Sequence, residues 1–206
     1  MPGQCEHPDL QYVMFTDGDL ATPCQPWEIR SLSPLMSGMT TYPLQAMWHR
    51  WSTEKCLGGA TRYALWIDGN RRLKCYPEWM MDVLSDPVSA VFVHHPTRRC
   101  CYDEAIEHCR LRIDSGLALE SIGDMARNHY QADRGLVMTN IILMDLHSKA
   151  FAGARAEILD RCGRLSYRDQ IHTSFVLNRR GVDYASAPPS LEHELTESFA
   201  HARDLR

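Results

Sequence analysis

The chain has no long apolar run, no strong excess of charge, no CxxC pair and no internal repeat or low-complexity segment. Each absence removes a class of function. Nothing approaches the roughly 18 consecutive apolar residues of a membrane-spanning helix, and the opening MPGQCEHPDL lacks the basic-then-apolar order of a secretory leader, so a cytoplasmic protein is expected. With 22 Lys and Arg against 26 Asp and Glu, the formal charge of −4 gives no global attraction for phosphate backbones or anionic membranes. Only local basic clusters could create one. The eight cysteines are scattered, two of them adjacent at Cys100 and Cys101. Without CxxC spacing they point neither to a structural zinc nor to a disulfide framework, and reduced thiols are expected.

What is present is an ordinary globular composition: 206 residues, 44% hydrophobic and 23% charged, enough for one sizeable core and short for two. One domain over residues 1–206 is expected, with its core across 11–181 and a helical surface tail over 187–206. The segment QYVMF at 11–15 reads as a strand running into the turn composition Thr16-Asp17-Gly18-Asp19, and a weaker strand follows at 27–32. Leu44, Met47, Trp48 and Trp51 fall at helical spacing, and Gly58-Gly59 supplies a stop. YALWI at 63–67 is apolar throughout, which predicts a central strand covered on both faces. A short helix over 77–84 leads to the strand AVFV at 90–93. Helical patterns at 102–113 and 117–130 precede an apolar run at 136–144, and further helices are expected at 150–162 and 169–178. Strands separated by helices imply crossovers, hence an α/β fold with a mainly parallel sheet flanked by helices on both faces.

In such sheets ligands bind beyond the carboxyl ends of the strands. Three polar clusters hold that position: residues 16–19 after the first strand, Asp68-Gly69-Asn70 after YALWI, and His94-His95 with Arg98-Arg99 after AVFV. All are expected on one rim. Asp68 follows five apolar residues, so its carboxylate needs a cation or hydroxyl donors to balance it, while Gly69 permits close approach of a ligand. A carboxylate, an amide oxygen and diphosphate oxygens make a hard-oxygen set suited to magnesium or manganese. A plain strand-ending Asp-Gly turn explains the tripeptide equally well. The arginines offer forked donors for phosphate, and the imidazoles can move protons near neutral pH. Asp103 and Glu104 fall in the first turn of a helix, where acids favour the dipole, and Glu104 is also a candidate base; Asp169 opens another helix and reads first as its cap.

Taken in order, WIDGN (66–70), HHPTRRCCYDEA (94–105) and YRDQIHTSFVL (167–177) resemble a family of GT-A-type glycosyltransferases long catalogued as a domain of unknown function. The opening YVMFTDGDLATPCQPWEIR is similar to that family's strand, FTD turn and Trp-containing strand, and the resemblance spans residues 11–181. It implies a Rossmann-like sheet and transfer of a sugar from a nucleotide-diphosphate donor to a hydroxyl acceptor. Asp68 stands where the acidic motif holds ribose and metal, with Asn70 in place of the last acid of the common Asp-x-Asp form. The donor would rest on Asp17, Asp68, Gly69, Asn70, Arg98 and Gln170. A Mn2+ or Mg2+ cofactor would use Asp68, Asn70 and His147. Asp169, Glu104 and His94 would carry the chemistry, Asp169 and Gln170 matching the family's Arg-Asp-Gln element. Family members usually begin with a further strand and a Gly-rich loop, which this chain is expected to lack. The segment 135–147 keeps Gly135, Leu136, Asn140 and His147 of a family segment without its usual acid and Arg.

Two other readings share these residues. One is a viral-type transferase acting on a hydroxymethylated DNA base, with Arg71, Arg72, Arg98, Arg99, Arg179 and Arg180 on the phosphates. The other is a non-catalytic protein that binds a nucleotide or a partner. A cysteine nucleophile at Cys100 or Cys101 has no matched base at a meaningful spacing.

Overall fold

The computed structural model describes residues 6–16, 26–31 and 41–198. Its centre is a four-stranded sheet built from Tyr63–Ile67 (β3), Ala90–His94 (β5), Val137–Asp145 (β6) and Ala185–Ala187 (β7), arranged across the sheet as β3-β6-β5-β7. Two further strand pairs stand outside it: Tyr12–Thr16 (β1) runs parallel to Trp27–Ser31 (β2), and Arg71–Leu73 (β4) runs antiparallel to Thr196–Ser198 (β8). The helices are Tyr42–Trp51 (α1), Thr53–Leu57 (α2), Glu78–Val83 (α3), Cys101–Arg110 (α4), Ser115–Arg127 (α5), Lys149–Arg164 (α6), Asp169–Arg180 (α7) and Ser190–Leu195 (α8). The expected α/β class with a helix-flanked sheet is the class observed.

The direction of the strands corrects the expectation of a mainly parallel sheet. β6 pairs antiparallel with both β3 and β5, and only β5 and β7 pair in parallel. The reason lies in the number of helices between strands. One helix, α3, carries the chain from β3 to β5 and leaves the two pointing the same way. Between β5 and β6 stand two, α4 and α5, joined by a short link in which Arg112 and Asp114 take left-handed backbone conformations, φ 56° and 39°. Such a helical hairpin returns the chain to the rim it left, so β6 enters there and runs backwards. α6 and α7 form a second hairpin, with the start of α6 beside the end of α7 at Gly153 and Arg180, and β7 therefore realigns with β5.

Alternation along the strands splits the core into two layers. Ala90, Phe92, Ile142 and Met144 face Phe151 of α6 and Phe175 of α7. Val91, Ile141 and Leu143 face the other way, against Met80, Leu84 and Leu195. YALWI was expected at the centre; among the described residues β3 is an edge strand, with Tyr63 37% exposed. Both its faces are nonetheless packed, Trp66 against one layer and Leu65 and Ile67 against the other, which is what its apolar run records. Up to residue 198 the tail differs from the surface helix expected, and residues 199–206 lie outside the described residues. α8 is short, Leu195 and Thr196 are buried, and β8 pairs with β4 while Lys74 N donates to Leu195 O at 2.7 Å.

Helix α7 is enclosed from Asp169 through Leu177. His172 lies fully buried on it, and its Nε2 meets Ser166 O at 2.8 Å, fixing the loop that leads into the helix. Burial, with Arg161 nearby, lowers its pKa from the ordinary 6.5 to about 4 despite the Ser166 carbonyl. A depressed folded-state pKa means that the unfolded chain binds the proton first, so this contribution is complete above pH 6.5 and is lost as pH falls toward 4. The shift corresponds to roughly 3 kcal/mol. Urea unfolding of wild type should therefore lose about that much more stability between pH 7.5 and 4 than His172→Gln does; parallel pH profiles for the two proteins would refute the assignment.

Candidate functional site

β3 and β5 end on the rim where β6 begins, and the loop into α7 arrives at the same place. There the chain encloses a pocket of about 350 Å³. Asp68 and Asn70 reach it from the turn after β3, His95 from the loop after β5, Thr139 from β6, and Asp169 and Gln170 from the start of α7. Asp68 is both the turn and the site. Its backbone extends the ladder by donating to Asn140 O at 3.0 Å, and its carbonyl accepts Arg71 N at 2.9 Å to close the turn.

The floor of the pocket is Arg50, contributed by α1. Its guanidinium is 95% buried, being 5% exposed, and bridges the two carboxylates. Nη1 donates to Asp169 Oδ2 at 2.5 Å and to Thr139 Oγ1 at 3.0 Å, while Nη2 donates to Asp68 Oδ1. Trp51 Nε1 also donates to Asp169 Oδ2, at 3.0 Å, and Thr139 Oγ1 to Asp169 Oδ1 at 2.9 Å. Trp66 Nε1 donates to Asp68 Oδ1 at 2.9 Å, and its ring lies under the guanidinium at 5.3 Å. Burial disfavours every charge here, but the pairing outweighs it: Arg50 titrates above its ordinary value and Asp169 below its own. Asp169 is therefore a weak proton acceptor, with donors on both oxygens.

A second buried acid organises the neighbouring wall. Glu104, 1% exposed, accepts Arg98 Nε at 2.5 Å through Oε2 and Arg168 Nε at 2.8 Å through Oε1. Asp114 in the α4–α5 link accepts Ser166 Oγ at 2.8 Å and Tyr167 N at 3.2 Å, so the same helical hairpin holds the approach to α7 from two sides. Between these groups His95 Nδ1 accepts Arg98 N at 2.9 Å and Thr97 N at 3.2 Å. Burial and Arg98 lower its pKa, leaving a neutral ring whose proton sits on Nε2 as a donor. His95 also borders a second cavity of about 470 Å³ lined by His94, Arg98 and Arg99.

No protein-family model matches the chain, and no curated protein matches it. Among solved structures it is similar to the apo form of mouse xyloside xylosyltransferase 1, at 8% identity and a TM-score of 0.47, covering 78% of this chain. The chain spans 62% of the length of that structure.

Of the residues singled out in the sequence, Asp68, Asn70, Asp169 and Gln170 meet in the 350 Å³ pocket. Gln170 is 5% exposed, and its amide makes no hydrogen bond with a described residue. Gly69 is exposed, with nothing within 4 Å of where a side chain would stand. Arg98 lines the adjoining cavity. Asp17 lies outside the described residues. Three assignments change. His147 cannot join Asp68 in a metal site, because β3 and β6 are antiparallel: Asp145, just before His147, pairs with Tyr63 at the far end of β3 from Asp68. His147 is exposed there, against Gly59 O at 3.2 Å. Glu104 lines neither pocket and spends both oxygens on arginines, which makes it a positioning residue. His94 meets Ser186 Oγ at 2.8 Å and faces the adjoining cavity, while His95 faces both. Both thiols of the cysteine alternative are buried, Cys100 at 2% and Cys101 at 0% exposure, and burial pushes the Cys101 thiol up to about 12.

Arg50 and Thr139 were not singled out in the sequence, while Trp51 was read only as part of a helical spacing and Trp66 and Arg168 only as members of motifs. Replacing Glu104 with Gln should lower stability by about 1–3 kcal/mol, since two half-exposed arginines lose an ionised partner but can recover water. Chemical denaturation measures this, and an unchanged midpoint would return Glu104 to the list of candidate bases.

Proposed function

We propose that the protein is a glycosyltransferase, moving a sugar from a nucleoside diphosphate donor to a hydroxyl acceptor. The observation that carries this reading is the meeting of Asp68 and Asn70 with Arg168, Asp169 and Gln170 around one pocket, from segments about 100 residues apart. Of these, the family resemblance assigns Asp68, Asn70 and Gln170 to the donor and Asp169 to the chemistry. Both donors to Asp68 fall on Oδ1, so among the described residues Oδ2 is left to accept ribose hydroxyls. Arg71 and Arg168 line the pocket on the side where a diphosphate would lie, and the Gln170 amide is available to sugar hydroxyls. In the reaction the bond from the anomeric carbon to the diphosphate oxygen breaks with its electron pair going to phosphate. The acceptor oxygen bonds to that carbon, and its proton passes to the departing diphosphate oxygen or to water. Fixed positive groups aimed at the leaving oxygen lower the barrier most. Asp169 serves by holding Arg50, since taking the acceptor proton would break that pair.

Five of the six arginines on which the DNA-base reading rests, all but Arg99, are already ion-paired. Arg71 pairs with Glu192, Arg72 with Glu197, Arg98 with Glu104, and Arg179 and Arg180 both with Glu157. The last two also close α7, roughly 16 Å along the helix from Asp169. Duplex or single-stranded DNA should show no salt-dependent affinity even at low ionic strength; tight binding that weakens steeply with salt would restore that reading.

A thermal-shift screen of nucleoside diphosphate sugars tests the proposal directly. A true donor at 100 times its Kd should stabilise the native state by about 2.7 kcal/mol, and Asp68→Ala should abolish the shift. If no nucleotide sugar moves the melting temperature, the reading fails. If one binds but no nucleoside diphosphate is released with any acceptor, the protein is a binding module.

A further inference from the structure

The resemblance implies a divalent cation at Asp68, and the residues around Asp68 do not fit one. Oδ1 already takes two donors, Arg50 Nη2 and Trp66 Nε1. Among the described residues, no three His, Cys, Asp or Glu side chains gather as a cation site. The second carboxylate of the pocket, Asp169, has both oxygens engaged. Any dication held by Asp68 Oδ2 would also stand against a guanidinium that cannot shed its charge, because arginine does not deprotonate in proteins. Pulling Asp68 toward the ion would take one of the two carboxylates from a cation that is 5% exposed and has little water to replace it.

Resting on the glycosyltransferase reading, we infer that Arg50 is the resident cation of this pocket, supplying the positive charge beneath the donor that a metal supplies elsewhere, so that nucleotide binding is independent of divalent ions. Its position suits the task. The side chain is immobilised by Asp169, Thr139 and Asp68 and packed on Trp66, so the charge is in place before a ligand arrives. Its buried Nε has no partner among the described residues, and Nη2 spends one of its two hydrogens on Asp68. Asp68 and Asp169 exceed Arg50 by one charge, and the pocket also presents Arg71 and Arg168, each held in place by an acid outside the lining, Glu192 and Glu104, with guanidinium N–H groups left over for a diphosphate.

The test uses the full chain stripped with EDTA. Mn2+ is titrated into the protein alone and followed by electron paramagnetic resonance. UDP, GDP, ADP and CDP are then titrated calorimetrically in EDTA and again with Mn2+. The inference expects no protein-bound Mn2+ signal at micromolar metal, and a bound nucleotide whose affinity changes less than about twofold with metal, where coupled ligands shift each other 5–150-fold. Arg50→Gln should weaken that nucleotide at least tenfold. Because this variant could fail to fold, the wild-type metal titrations decide the matter without it. A Mn2+ site lost in Asp68→Asn, or a nucleotide affinity that rises tenfold or more with Mn2+, overturns the inference. If no nucleotide binds under either condition, the donor reading falls, and the Mn2+ titration of the protein alone still upholds or refutes the claim that Arg50 bars a dication from Asp68.

Discussion

Arg50 is a charge that the fold can bury only because two carboxylates come to meet it. Removing one partner of a buried pair typically costs about 3–5 kcal/mol, a large share of the 5–15 kcal/mol by which a domain is stable. That arithmetic constrains the rim of the sheet. α1 supplies the guanidinium, β3 ends where Asp68 can reach it, β6 offers Thr139, and α7 must begin with Asp169 against it. Four segments remote in sequence are thereby held in one register by a single side chain. The pocket is the space left above it.

The supports of that arrangement are built the same way. Glu104 sits buried under Arg98 and Arg168 and holds the β5 loop to the start of α7. Asp114, in the strained link between α4 and α5, holds Ser166 and Tyr167. The α4–α5 hairpin that reverses β6 and the α6–α7 hairpin that follows it meet beside the pocket, where Asp114 of one link holds Ser166 and Tyr167 of the other. Topology and site are one problem here: without two helices between β5 and β6, neither Thr139 nor the Glu104 wall would face Asp68.

Most elements could be read from the sequence because their signals are local. YALWI and AVFV were strands by composition, and the helices at 102–113, 150–162 and 169–178 by periodicity, each within a few residues of α4, α6 and α7. What failed was non-local. Whether two helices form a hairpin or a crossover depends on how they pack, so the reversal of β6 and the edge place of β3 were hidden. β4, β7 and β8 are three residues each and carry no pattern. At the site, Asp68, Asn70, Asp169 and Gln170 were legible from strand ends and from family resemblance. Arg50 was not, since a lone arginine between the apolar Trp48 and Trp51 belongs to no motif until its partners 18 and 119 residues away are known. His94 was preferred to His95 on motif spacing, and only the loop hydrogen bonds place His95 over the pocket.

The central claim is that Arg50 and Asp169 act as one unit that shapes the pocket. A double-mutant cycle with Arg50→Met and Asp169→Leu, read by urea denaturation, measures their coupling directly. The account predicts that each single variant is destabilised by about 3–5 kcal/mol and that the double variant recovers much of the loss, a coupling of roughly 2 kcal/mol or more. Additive losses, with coupling near zero, would contradict it.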